Sequence, residues 1–327
     1  MENIDIVITW VDGMDPIWRK KKAKFIATDE DTQEAVRYRD YGTLKYLFRS
    51  IDTYCPWVHK IHLITDNQVP EWLDTSHPKI NLVFHQDFIP KEYLPTFNSN
   101  TIELNLFRLK DLAEKFILFN DDMFINNPVY PENFFDGNQI LDYGVYNRIA
   151  PVDVFAHTLI NDLMIINKYF NKRDSFKKNW RKQLNFRYGK MLLSNVLTLP
   201  YKEITGYFNP HLPQPHLKSN FLKLYQLETT AFEQTFQNRF RGFDDINHWL
   251  CRYWMLEEGN YQPQKLSFGK YFDISEMKDI LQEIRSDKFK LLCINDEEST
   301  QEDFEKWQGQ LELAFQSKFP EKSSFEK

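Results

Sequence analysis

The sequence predicts an α/β fold, a mostly parallel sheet core with a mostly helical C-terminal region. Three observations predict it. Apolar runs of strand length occupy residues 4–11, 60–65, 80–84 and 116–119, with helical patterns between the first and second and before the fourth. Two of these runs stop at acidic residues, Asp12-Gly13 and Asn120-Asp121-Asp122, as strands do when they feed loops at the carboxyl edge of a sheet. From Phe155 onward apolar residues recur mainly at helical spacing.

In chain order, the β-branched run at 4–11 reads as a buried strand. Leu44, Leu47, Phe48 and Ile51 then line one face of a helix that Pro56 closes. The strands at 60–65 and 80–84 precede a loop punctuated by Pro90 and Pro95, where backbone donors are lost. Asn100-Thr-Ile-Glu103 matches a capping box, and Ile102, Leu106, Leu109 and Ala113 extend a helix to the strand at 116–119. Leu159, Leu163 and Ile166 mark a later helix, residues 232–236 and 249–256 two more, and a Pro-rich loop spans 209–215. The expected organisation is a core at 1–150, a mostly helical region at 151–275 that completes the site, and a helical C-terminal extension at 276–327.

A chain of 327 residues with 42% hydrophobic content can bury a substantial core. Cys55, Cys251 and Cys293 form neither a disulfide framework nor a zinc motif, which fits a reducing compartment. The start of the chain lacks the basic and apolar pattern of a signal peptide, and no stretch is apolar enough to span a bilayer, so a cytoplasmic location is expected. A net charge of -6 disfavours a nucleic-acid partner.

Asp121 and Asp122 are adjacent carboxylates at a strand end, and they repel unless a cation joins them. Mg²⁺ or Mn²⁺ suits such hard ligands and fills its shell with water and phosphate oxygens, which implies a diphosphate substrate. The tripeptide alone reads more readily as a solvated turn. Asp12, ending another strand of the same sheet, brings a third carboxylate toward that edge.

The motifs become specific as an ordered set. Asp5-Ile-Val-Ile-Thr-Trp-Val-Asp-Gly13, Arg37-Tyr-Arg-Asp40, Leu44-Lys-Tyr46, Arg49-Ser-Ile51 and Pro56-Trp57 come first. Ile64-Thr-Asp-Asn-Gln68, Pro70-Glu-Trp-Leu73, Leu94-Pro-Thr-Phe-Asn-Ser99, Ile102-Glu103 and Phe119-Asn-Asp-Asp-Met-Phe124 follow, then His211-Leu-Pro213 with Lys218, and Arg239-Phe-Arg241 with Asp244-Asp245. This set resembles the Stealth family of capsular and exopolysaccharide sugar-phosphate transferases, which is similar to the catalytic regions of the animal N-acetylglucosamine-1-phosphotransferase.

The resemblance implies a GT-A-like core and transfer of a hexose or N-acetylhexosamine 1-phosphate from a UDP-sugar to a hydroxyl of a growing polysaccharide or polyprenyl-diphosphate-linked oligosaccharide, with UMP released. Protein groups in phosphoryl transfer mainly position reactants and stabilise charge. The implied catalytic set is His211, Arg241, Asp245 and Arg39, with His211 as general base and His216 as its local rival. Asp12, Gly13, Lys45, Arg49, Asn98, Ser99, Glu103 and Lys218 form the implied substrate-binding set, and Asp121 and Asp122 the metal ligands. Lys45 and Arg49 also read as one solvated helical face, and Glu103 as the closing residue of a capping box.

Between Lys168 and Lys190 a run of Lys and Arg is opposed only by Asp174 and interleaved with Tyr169, Phe170, Phe176, Trp180 and Phe186. Such a helical surface suits peripheral contact with an anionic membrane as well as simple solvation. Two rival functions remain open at this stage. One is a metal-dependent glycosyltransferase that releases UDP; the other is a non-catalytic glycan-binding module, which the 16% aromatic content would serve.

Overall fold

The computed structural model describes residues 2–25, 38–152, 154–296 and 299–327, so Arg37 of the Arg37-Tyr-Arg-Asp40 motif lies outside the described residues. Strand β1 (Ile4–Thr9) leads to helix α1 (Pro16–Lys22), then α2 (Leu44–Tyr54), β2 (Ile61–Thr65) and β3 (Ile80–Phe84). Helix α3 (Ser99–Leu104) precedes β4 (Lys115–Asn120), and a two-residue turn joins β4 to β5 (Met123–Ile125). Short strands β6 (Phe135–Asp136) and β7 (Gln139–Asp142) come next, followed by α4 (Phe155–Tyr169), α5 (Lys172–Gln183) and α6 (Leu192–Leu197). Strand β8 (Gln214–Leu217), helices α7 (Lys218–Leu227), α8 (Thr229–Gln237) and α9 (His248–Glu258), and strands β9 (Tyr261–Pro263) and β10 (Gly269–Asp273) follow. The chain finishes with α10 (Met277–Ile284), β11 (Leu291–Asn295) and α11 (Gln301–Lys318).

The central sheet has the order β3-β2-β1-β4-β8, parallel except for β8 at one edge. β2 is buried along its whole length and β1 along all but its last residue, which explains their continuous apolar runs, since layers cover both faces of a parallel sheet. One apolar cluster joins Ile6 of β1 and Phe119 of β4 to Leu250 of α9 and to Leu292 and Phe325 near the end of the chain.

Two expectations are corrected. The helix after residue 99 stops at Leu104, because Asn105 donates from its side chain to the Thr101 carbonyl and accepts from Arg108, and a short 3₁₀ turn takes over. Its cap is Asn98, whose side chain accepts from the Asn100 N–H, so the Asn100–Glu103 capping box does not form. The segment 276–327 is not purely helical either. Strand β11 lies between β10 and β5 in a second sheet, and α11 packs beside α10.

Candidate active site

Thr9 and Asn120 are register partners, so β1 and β4 end side by side and deliver Trp10 and the Asp121-Asp122 turn to one edge of the sheet. A cavity of about 350 Å³ opens there, and Asp40, Asp66, Glu103, Asp121, Asp122 and Asp296 line it together with Arg39, Arg241, His85 and His211. Acids therefore outnumber cations on its wall. Burial first, and then the neighbouring Asp122 and Asp40 carboxylates, hold Asp121 well above the usual carboxylate range.

Asp122 Oδ2 accepts from the Cys293 thiol at 3.3 Å and lies 3.8 Å from His211 Nε2, while Asp122 Oδ1 is buried with no hydrogen-bond partner among the described residues. Burial and Asp122 push the Cys293 thiol up, so it stays protonated as a donor. An orphaned carboxylate oxygen among excess acids is an environment that a hard divalent cation can complete, and Asp122, His211 and Cys293 offer ligand atoms within 4.8 Å of one another there, with Asp121 on the same wall.

His211 reaches the wall from a Pro-flanked loop with φ of 45°, a left-handed conformation unusual outside glycine, and its ring packs edge-on against Tyr271. His216 does not reach the cavity. It is buried on β8 against Phe116 and Phe221, and burial drives it well below its ordinary value. Of the two histidines, only His211 lines the cavity.

Glu103 is buried at the cavity wall, and burial pushes its carboxyl up to about 7, against the opposing pull of Arg241 and His211. His248 lies 3.8 Å away but is held down to about 3 by burial, so it gives Glu103 no counter-charge at neutral pH. Arg241 donates to Ser99 Oγ at 2.7 Å on the wall. Arg39 also lines the cavity and is tied to Ser299, with Asp296 at 3.9 Å.

Several residues expected at the site have other partners. Lys45 pairs with Glu312, and Arg49 makes a two-pronged bond to Glu326 and donates to the Phe319 carbonyl, so both fasten α2 to the end of the chain. Lys218 donates to the Leu109 and Leu112 carbonyls. Asp12 closes its own turn by accepting from the Met14 N–H, and Asp40, raised first by burial, is raised further by the Asp12 charge. Gly13 is required by close approach, because a Cβ there would lie 2.1 Å from the Tyr38 carbonyl oxygen. Asn98 and Asp245 are buried behind the wall. Asp245 accepts from Asn98, Asn100, Asn238 and the Gly242 N–H, and so positions the loop that carries Arg241.

Four acidic or histidine wall residues lay outside the expected set: Asp40, Asp66, His85 and Asp296. Asp66 follows β2 directly, with Oδ1 held by Lys21 at 2.5 Å and Oδ2 buried without a partner among the described residues. His85, beside it, is lowered to about 4 by burial. Asp296 accepts from Tyr41 at 2.6 Å. The signal for Asp296 is visible in the chain, since the apolar run Leu291-Leu-Cys-Ile294 ends in Asn295-Asp296 as the β4 run ends in Asn120-Asp121.

Comparison with known proteins decides the family. Stealth protein CR1, conserved region 1, matches residues 2–29, and Stealth protein CR2, conserved region 2, matches residues 37–142. Capsular polysaccharide phosphotransferase WcwK of Streptococcus pneumoniae is 46% identical over 100% of this chain and 99% of its own length. The chain belongs to the Stealth family. Another Stealth relative, exopolysaccharide phosphotransferase cps2G of Lactiplantibacillus plantarum, is 40% identical over 99% of this chain and 96% of its own. The solved galactosyltransferase LgtC covers 93% of this chain and 95% of its own at 10% identity with a TM-score of 0.38, a likeness too slight to carry weight. Within the Stealth regions, the matched span 37–142 includes both the cavity acids Asp121 and Asp122 and the structural fasteners Lys45 and Arg49.

Proposed function

We propose that this chain transfers a hexose or N-acetylhexosamine 1-phosphate from a UDP-sugar to a hydroxyl of a growing capsular or exopolysaccharide. The names of its relatives supply the class of reaction and product. One observation carries the reading: Asp121, Asp122, Arg39, Arg241, His211 and Glu103 face a single cavity at the sheet edge. Such a set can hold a diphosphate and take up an acceptor proton.

In the proposed reaction the acceptor oxygen attacks the sugar-linked β-phosphorus. The bond from that phosphorus to the bridging oxygen breaks, its electron pair leaves on UMP, and the anomeric C–O bond stays intact. Arg39 and Arg241 would hold the non-bridging oxygens, Arg suiting the task by its planar array of donors. His211 would take the acceptor proton. Glu103 is a second proton acceptor in reach of the same space, favoured by its displacement to about 7. Asp121 and Asp122 would hold Mg²⁺ or Mn²⁺, which when bound withdraws charge from the diphosphate. The nucleoside end would lie along Trp10, Ile64, Asp66 and His85, where the partnerless Asp66 Oδ2 could accept from it.

The test is incubation with UDP-sugars, Mg²⁺ or Mn²⁺ and an oligosaccharide acceptor, scoring nucleotide products and glycan phosphorus. UMP with phosphorus in the glycan is expected, and EDTA should abolish turnover until the metal is restored. UDP without glycan phosphorus would replace the proposal with glycosyl transfer, and glycan binding without turnover would replace it with a binding module.

A further inference from the structure

Residues 171–202 contain nine Lys or Arg and one Asp, in a chain whose net charge is -6. This segment forms a helical hairpin. Lys172 at the start of α5 donates to the Thr198 carbonyl just beyond α6, and Asn195 of α6 donates to the Gln183 carbonyl at the end of α5 at 2.6 Å. The two helices therefore run side by side in opposite directions. α5 turns Ser175, Asn179 and Gln183 inward, leaving Arg173, Lys177, Lys178, Trp180 and Arg181 exposed.

Not every cation in the segment is available. Lys172 is buried, Lys182 donates to the Gly259 and Tyr261 carbonyls, Arg187 to that of Pro263, and the exposed Lys177 lies 3.9 Å from Asp174. The free basic face is thus narrower than the sequence implied. Beside it, the structure exposes large apolar side chains that the sequence reading left aside: Leu193 is 60% exposed, Leu197 65%, and Phe186 at the turn between the helices 91%. Phe186 is held there by an ordered turn, since Asn185 accepts from the Arg187 N–H and Tyr188 is fully buried.

We propose that this hairpin docks on an anionic phospholipid bilayer, with Phe186, Leu193 and Leu197 entering the interface and the exposed face of α5 lying against the headgroups. Two properties of this one hairpin support this occupant over a solvated face. The positive charge runs opposite to that of the whole chain, and the apolar side chains stand beside it, the combination by which interfacial helices hold acidic lipid. No helix among the described residues is long and apolar enough to cross a membrane, so the contact is peripheral. The proposal stands whether or not the transfer reaction above is right.

The test is flotation of the full chain with phosphatidylcholine vesicles, with and without phosphatidylglycerol. Binding is expected only with phosphatidylglycerol and should weaken as salt rises. Lys177→Ala, Lys178→Ala and Arg181→Ala together should cut partitioning on the order of a hundredfold, at about fivefold per charge. Phe186→Ser, Leu193→Ser and Leu197→Ser together should also cut it at least about tenfold. All six positions are exposed, and unchanged thermal unfolding of each variant verifies the fold. A fluorophore on Phe186→Cys should shift to the blue on acidic vesicles, the three native thiols being buried. Equal binding to neutral vesicles, binding to none, or wild-type binding by either triple variant overturns the proposal, and a protein partner would then be sought for this face.

Discussion

Helix α2 and the turn after β4 both carry charges within the matched Stealth region, yet the fold treats them in opposite ways. Arg49 on α2 spends its donors on Glu326, Gln316 and the Phe319 carbonyl, and Lys45 one turn earlier meets Glu312. Asp121 and Asp122 share the cavity with further acids, and Asp122 keeps one oxygen without a partner among the described residues. A charge whose partners lie inside the fold is a fastener. A charge gathered with its like, one oxygen left without a partner, calls for something from outside, which in the proposed reaction is a cation.

The largest effect should come from the unpaired side of this comparison. Asp121→Asn or Asp122→Asn should lower turnover by roughly a thousandfold, judged against the cost of removing key electrostatic groups. Thermal unfolding without metal should hold or move upward, because each change relieves like-charge repulsion. A lower midpoint with turnover retained would break the comparison. On the paired side, Arg49→Ala should destabilise by about 3 kcal/mol, since it leaves the Glu326 carboxylate with Ser323 as its remaining donor and no counter-charge. Urea unfolding measures that, and a loss of turnover without a loss of stability would return Arg49 to the substrate.

Glu103 sharpens the comparison through pH. Its folded carboxyl near 7 lies above the ordinary 4.5, so the native state binds the extra proton. The stability linked to this group is present in full below about 4.5 and is lost as pH rises through about 7. Urea midpoints at pH 5 and pH 8 should therefore differ more for the wild type than for Glu103→Gln, and parallel behaviour would rule out burial as the cause. If Glu103 also accepts the proton, the rise in turnover through pH 7 should vanish in the variant while nucleotide affinity remains. The smallest effect belongs to Lys45→Ala, under about 1 kcal/mol, since its pair with Glu312 is partly solvated.

The core strands were legible because a buried parallel strand writes itself as an unbroken apolar run, as residues 4–9 and 61–65 do. The acids of the β4 turn were legible for the same reason, standing directly after such a run. What the chain does not display is partnership across long separations. Lys45, Arg49 and Lys218 match the motif set but meet their partners more than 100 residues away. Helix α3 was overread because an apolar stripe carries no sign that Asn105 will compete for the backbone. The helical reading of the C-terminal segment passes over β11, although its apolar run is as long as those of β2 and β3, and with it the wall residue Asp296.

The Arg49–Glu326 tie also bears on biosynthesis. Its two halves are 277 residues apart, so a ribosome has made all of the central sheet before the second half exists. Until then the guanidinium under α2 has no carboxylate, and water must stay where Phe319 and Phe325 later pack. Final packing around the α2 guanidinium therefore waits until Glu326 has been made and can reach it, and chains short of that point should be most open to proteases along that seam.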